Sequence, residues 1–338
     1  MATIKEVARR AKVSVGTVSN VLSGAVPVSA KLRERVLGIV RELDYHPNHV
    51  ARSLKIRQTK MLGMVVSDIT NPFFPLLVRG AEDAAWSHNY MLITLNTDDQ
   101  VERERQVLAA LRTRRVDGIL LVLASTEDNT DHITNAIESG IPIVCLDRKP
   151  RGIPLDSVTV DNVAGARECV QHLIDGGNRR IAILTGPLHV EVARERLEGY
   201  RTALKEAGLP VDEALVRDGG FRLEAGYAAA MDLIDREAPA AFFCSNAMMA
   251  AGLLRALNEK GLRCPDDVAV ATFDDPQFAE ALRPRLTAMA QPAYDLGYGG
   301  ADLLLKRIQD PSRTQTNLVL KTELRIRESS VKAAVTVK

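Results

Sequence analysis

The sequence predicts a small all-α module followed by an α/β core of two doubly wound parallel-sheet subdomains. Three observations carry that prediction. Apolar side chains in the first sixty residues recur only at helical spacing, whereas from residue 61 short β-rich apolar runs alternate with amphipathic helical stretches. Charge divides the same way: residues 1–60 hold 12 Lys and Arg against 4 Asp and Glu, a net +8, and the remaining residues hold 32 against 39, a net −7. The overall charge of +1 thus hides a basic module joined to an acidic one, the pattern of a nucleic-acid binder with a second task.

The helical module reads in order. Thr3 and Glu6 stand at capping-box spacing, and Ile4, Val7, Ala8 and Ala11 then form one apolar stripe. Ser14 caps a second helix with Val15, Val18, Val21 and Leu22 on its inner side, and Lys12 occupies a tight turn where glycine is common. A third helix follows Ser29 through Leu32, Val36, Ile39, Val40 and Leu43, until Tyr45-His46-Pro47 stops it. Asn48 caps a short fourth segment, 49–55, too poor in apolar residues to be stable alone.

In the core, strands are expected at 62–66, 91–95, 118–123, 143–146 and 158–160, then at 181–184, 241–244 and 268–272, about nine in all. Helices fall at 74–87, 101–112, 132–139, 164–175, 193–207, 223–236, 248–260 and 294–309. Such alternation means parallel sheets covered on both faces, with ligand in the crevice at the carboxyl ends of the strands. Gly297, Gly299 and Gly300, inside a helical stretch, read as close packing.

Several classes are disfavoured. The segment MATIKEVARRAKV lacks the apolar core of a signal peptide, and no run approaches the roughly 18 apolar residues of a membrane span. Cys145, Cys169, Cys244 and Cys264 form no C-x-x-C pair, which argues against zinc and for buried thiols in a reducing cytoplasm. No P-loop, dinucleotide fingerprint, H-E-x-x-H or G-x-S-x-G motif occurs, so no enzyme activity, metal or cofactor is expected.

Two helices joined by a tight turn in a basic module suit a helix-turn-helix. The run TIKEVARRAKVSVGTVSNVLSG, followed by YHPNHVARSLK, resembles the DNA-binding headpiece and hinge of the LacI/GalR family of bacterial transcription regulators, and the similarity continues to about Glu328. The resemblance implies that Val15, Gly16 and Asn20 face base edges, with Thr17 and Ser19 near phosphates. Chemistry permits this: Val15 can meet a thymine methyl and Asn20 can pair with adenine. Gly16 brings no side chain, so fewer bases should be read directly. The segment 48–55 resembles the family's hinge helix, where Leu54 would wedge into a base step beside Ala51 while Arg52, Lys55 and Arg57 meet phosphates.

The same family has a sensing core that looks like periplasmic sugar-binding proteins, and this sequence tracks the ribose-binding member of that group. Asn71-Pro72-Phe73-Phe74 matches its N-P-F-F loop, Asp147-Arg148 ends the fourth strand, Asp161-Asn162-Val163 opens the second half, and Ala193-Arg194-Glu195-Arg196 matches its A-R-E-R. The effector residues so implied are Asn71, Phe73, Phe74, Asp147, Arg148, Arg196, Phe221, Asn246, Asp274 and Gln291. A sugar ring wants aromatic plates for its C–H faces and planar charged or amide groups for its hydroxyl rim, which this set supplies. Ala247 stands where relatives usually carry an acidic residue, read here as a lost helix cap or interdomain bond.

The expected organisation is a headpiece at 1–46, hinge helix and linker at 47–60, an effector-binding and dimerisation core at 61–328, and a tail at 329–338. Within the core one subdomain takes about 61–161 and 291–322, the other about 162–290 and 322–328. The expected function is a cytoplasmic, homodimeric repressor that binds a pseudo-palindromic double-stranded operator and is released by a small sugar, D-ribose or another pentose. A co-repressor-dependent regulator binding a purine or other sugar is the alternative, and a sugar transport binding protein a weaker one.

Overall fold

The computed structural model describes residues 2–23, 26–45, 58–125 and 130–331. The chain divides into two compact units, Met1–Thr59 and Lys60–Lys338.

The first unit packs three helices, α1 (Ile4–Ala11), α2 (Val15–Ser23) and α3 (Ala30–Glu42), around Val7, Ala8, Ala11, Val18, Val21, Val36 and Tyr45. Thr3 caps α1 by accepting the Glu6 N–H at 3.3 Å, but the Glu6 carboxylate turns to Arg9 and Arg10, so the expected capping box is half made. Lys12 adopts φ 53°, and the Val13 N–H closes the turn on the Ala8 carbonyl at 3.1 Å. A non-glycine residue there costs about 1–2 kcal/mol, offset by the carbonyls it satisfies. Val15 departs from the expected inner stripe: it is 41% exposed, while Val18 and Val21 fill the core. The third helix also ends earlier than expected. Asp44 at φ 45° turns the chain so that Tyr45 donates to the Val40 carbonyl at 2.9 Å, a left-handed stop ahead of the proline. The hinge positions Ala51, Arg52, Leu54, Lys55 and Arg57 lie outside the described residues.

The second unit contains two six-stranded sheets. Its first run is β1 (Met61–Val66), α4 (Phe73–Ser87), β2 (Met91–Asn96), α5 (Val101–Thr113), β3 (Gly118–Leu121), α6 (Asp131–Glu138), β4 (Ile143–Leu146) and β5 (Asp156–Val160). Then come α7 (Asn162–Asp175), β6 (Ile181–Thr185), α8 (Glu191–Glu206), β7 (Val216–Asp218), α9 (Leu223–Glu237), β8 (Ala241–Cys244), α10 (Ala247–Glu259), β9 (Ala269–Phe273) and β10 (Thr287–Ala290). The chain returns through α11 (Ala293–Gln309) and β11 (Asn317–Leu320) and ends with β12 (Glu323–Arg325).

The strand orders are β11-β5-β4-β3-β1-β2 and β12-β10-β9-β8-β6-β7. Every pairing is parallel except that of β10 with β12. Each sheet is buried on both faces by its own pair of apolar clusters, as parallel sheets require. The chain crosses between the sheets three times, after β5, β10 and β11.

Four strands escaped the pattern reading. β7 and β12 are short with one apolar residue each, β11 offers only Leu318-Val319-Leu320 on a largely exposed edge, and β10 reads Thr-Ala-Met-Ala, where Thr287 is the single β-branched residue. The segment expected to be a tail begins with a short turn packed on the second sheet: buried Ser329 Oγ accepts the Thr287 N–H at 2.8 Å and donates to the Val270 carbonyl at 2.7 Å. Of the three glycines in α11, a Cβ on Gly297 would stand 1.9 Å from the Leu77 carbonyl oxygen of α4, and one on Gly300 would stand 2.3 Å from Leu146. Close packing explains those two, whereas Gly299 meets only Val158 at 4.0 Å.

Candidate functional site

Between the two sheets lies a cleft of about 390 Å³, and all ten residues implied as effector contacts line it. The fold brings them together from distant points because most of them follow a strand tip or a crossover, while Arg196 comes from within α8. Asn71, Phe73 and Phe74 come from the turn into α4, Asp147 and Arg148 follow β4, Phe221 follows β7, Asp274 follows β9, and Gln291 lies on the crossover from β10 to α11.

Three of these residues hold left-handed backbone: Asp147 at φ 64°, Phe221 at φ 57° and Asp274 at φ 71°. Such conformations cost about 1–3 kcal/mol each and persist where packing over-determines them. Phe221 shows how. Its ring occupies the place of a side chain on Gly186, where a Cβ would approach it to 2.2 Å, and the Asn246 amide donates to its carbonyl at 3.0 Å.

Arg196 anchors the floor. Its Nε donates to Asn162 Oδ1 at 2.9 Å, its Nη1 donates to the Ser245 carbonyl at 2.6 Å, and the guanidinium lies 3.9 Å from the Phe273 ring centre. Asn162 in turn donates to Glu195, so one amide fixes Arg196 from the side. Burial pushes the Arg196 guanidinium below its ordinary pKa against the pull of Asp274 and Asp147. Burial likewise holds the carboxyls of Asp147 and Asp274 above the usual carboxylate range, opposed by Arg148 and Arg196 at the first and by Arg196 at the second.

Several side chains are committed in part to the fold. Arg148 Nη1 donates to Asp99 Oδ1 at 2.6 Å and to the Leu123 carbonyl at 2.7 Å. Asp274 accepts from Gln291 at 2.5 Å, and Asn71 accepts the Phe73 N–H at 3.1 Å. Asn246 caps α10 by accepting the Met249 N–H at 2.9 Å, so the helix beginning at Ala247 keeps a cap without an acidic residue. What remains over is informative. Asp147 Oδ1, Arg148 Nε, Gln291 Oε1 and Ser67 Oγ are buried with no hydrogen-bond partner among the described residues. A rim of unpaired donors and acceptors between the edge-on Phe73–Phe74 pair and Phe221 is suited to a small molecule dense in hydroxyls.

Sequence reasoning missed five further lining residues: Ser67, Asp68, Asp99, Val192 and Arg222. Ser67, Asp68 and Asp99 sit beside strand tips that the pattern did locate, and Arg222 directly follows Phe221, so adjacency was the available signal for those four; Val192 lies in the first turn of α8.

In the headpiece, Gly16 and Ser19 are exposed with Val15 at the start of α2, and Asn20 and Thr17 are half-buried. The Thr17 hydroxyl lies 2.9 Å from Ser14 Oγ, which also accepts the Thr17 N–H at 3.1 Å, so Thr17 takes part in the cap. Among the described residues no helix is long and apolar enough to cross a membrane and no cluster could hold a metal ion.

Comparison with known proteins agrees with both halves. Residues 3–48 match the family model described as bacterial regulatory proteins, lacI family, and residues 59–328 match that described as periplasmic binding proteins and sugar binding domain of LacI family. The ribose operon repressor of Haemophilus influenzae is 37% identical over 97% of this chain and 98% of its own length. The transcriptional repressor PurR of Photobacterium profundum is 35% identical over 97% of this chain and 98% of its own. A LacI-family regulator from Enterococcus faecium, solved with bound ribose, superposes with a TM-score of 0.73 at 32% identity, covering 80% of this chain and 98% of that one. With a helix-turn-helix module ahead of a two-subdomain α/β core, and with these matches along nearly its whole length, the chain belongs to the LacI family of DNA-binding transcriptional repressors.

Proposed function

We propose that this repressor leaves its operator when D-ribose, or a pentose with the same hydroxyl pattern, occupies the cleft. The observation that carries the reading is the set of buried, unpaired polar atoms on Asp147, Arg148, Gln291 and Ser67, held around a small cavity between aromatic rings. Hydroxyls both donate and accept, so one sugar can satisfy carboxylates and guanidiniums together. The ribose operon repressor relatives and the ribose-bound neighbour support the same ligand. Similarity to PurR favours a second reading, a regulator that needs a purine co-repressor.

On the DNA side, Val15, Gly16 and Asn20 read base edges while Ser19 and Thr17 lie near phosphates; Leu54 beside Ala51 enters the minor groove, and Arg52 and Lys55 meet phosphates. One recognition helix covers one half-site, so a two-fold dimer on a pseudo-palindromic operator follows, and the protein acts in the cytoplasm. The test is operator binding titrated with D-ribose, other pentoses, hexoses and purines. Release by D-ribose is the expected result; tightening by a purine with no effect of any pentose would establish the second reading instead. Leu54→Ala should weaken specific operator binding while D-ribose affinity, read by calorimetry, stays unchanged. Equal loss of both would remove Leu54 from the DNA contact.

A further inference from the structure

We infer that Arg222 is a positioning residue: with Asp68 and Asp99 it forms a latch that holds the cleft closed without ligand and thereby sets effector affinity. Arg222 belongs to the second subdomain, following β7, whereas Asp68 and Asp99 follow β1 and β2 of the first. Arg222 Nη1 donates to Asp68 Oδ2, and its Nη2 lies 3.9 Å from Asp99 Oδ2. Both acids are held in place. Asp68 Oδ1 accepts from the Thr70 N–H at 3.0 Å and the Thr70 hydroxyl at 2.6 Å, which leaves Oδ2 aimed at Arg222. Asp99, at φ 58°, places its other oxygen on Arg148 at 2.6 Å, so the latch is tied to a pocket residue.

Topology gives this contact leverage. The three crossovers leave from β5, β10 and β11, near one edge of each sheet, while β2 and β7 form the opposite edges. At about 4.8 Å per strand the latch lies roughly 14–24 Å from the crossover strands, so a rotation of about 10° there separates its charges by about 2–4 Å. A contact made only in the closed state raises the closed fraction, and apparent affinity rises with that fraction.

The affinity part of the inference rests on the ribose reading; the closure part does not. The experiment is therefore hydrogen–deuterium exchange of the sugar-free full chain at residues 145–149 and 271–276, one strand end from each subdomain, beside calorimetry with D-ribose. Arg222→Gln and Asp68→Asn are expected to speed exchange at both strand ends, as should about 1 M salt on the unaltered chain, because that concentration screens the partly exposed Arg222. Arg222→Lys should restore part of the protection. D-ribose affinity at low salt should fall about fivefold in Arg222→Gln, with little loss at high salt. Unchanged exchange in both variants, with thermal melting as in the parent, would overturn the latch. A parent chain that binds no D-ribose would overturn the ligand reading, and the exchange result would still decide the latch.

Discussion

In Arg196→Ala, D-ribose affinity is expected to fall by at least about 100-fold and the core to lose about 3–5 kcal/mol of stability. Arg196 is almost wholly buried, and its charge faces Asp147 and Asp274. Truncation leaves those two carboxylates with Arg148 as the remaining cation beside Asp147, and it orphans the Ser245 carbonyl, Asn162 Oδ1 and the face of Phe273. The cost is therefore mainly that of groups left unpaired in a site shielded from water. Calorimetric titration gives the first quantity and chemical denaturation the second. The consequence for regulation is a repressor that still binds its operator at reduced temperature but is no longer released by the sugar. Retained affinity within a few-fold of the parent would mean that Arg196 supports the fold and does not meet the ligand.

Asp147→Asn is expected to separate stability from binding in the opposite sense. Burial raises the Asp147 carboxyl pKa, so from the ordinary aspartate value near 3.9 upward the folded chain holds that proton more tightly than the unfolded chain does. This group's stabilising contribution is complete at acid pH and is lost as pH rises through its folded value. An ionised carboxylate at this buried position is disfavoured. The neutral amide keeps the shape and tolerates the left-handed backbone at φ 64°. The ligand-free variant should gain about 1–2 kcal/mol near pH 7, and the gain should shrink toward pH 4. Sugar affinity should fall by about 100-fold or less, since Asn cannot supply the charged acceptor that the unpaired Oδ1 provides. Melting curves across that pH range and titration at neutral pH are the measurements. A variant less stable than the parent at neutral pH would show that Arg148 and Arg196 need the Asp147 charge more than burial opposes it.

What the sequence by itself determined was local. Helical spacing placed α1 to α3, continuous apolar runs placed the buried strands β1, β3, β4, β6, β8 and β9, and strand–helix alternation implied two covered parallel sheets. Those features depend on neighbours a few residues apart, so a linear pattern records them. The candidate site was legible for a different reason: several of its residues fall in short runs, such as Asn71-Pro72-Phe73-Phe74, Asp147-Arg148 and Ala193-Arg194-Glu195-Arg196, that a family resemblance could carry.

Tertiary structure alone decided what depends on distant partners. The edge strands β7, β11 and β12 exist because a neighbouring strand offers hydrogen bonds, and their three or four residues are too few, and too exposed, for a clear apolar signature. Ser329 and Ser330 are core rather than tail because Thr287 and Val270 receive them. Asn246 was predicted as a ligand contact, and only the fold shows one oxygen capping α10 and one N–H holding Phe221. The pairing of Arg222 with Asp68 spans 154 positions and two sheets. No spacing rule reaches that far, because the distance between those charges is set by the angle of the cleft and not by the chain that separates them.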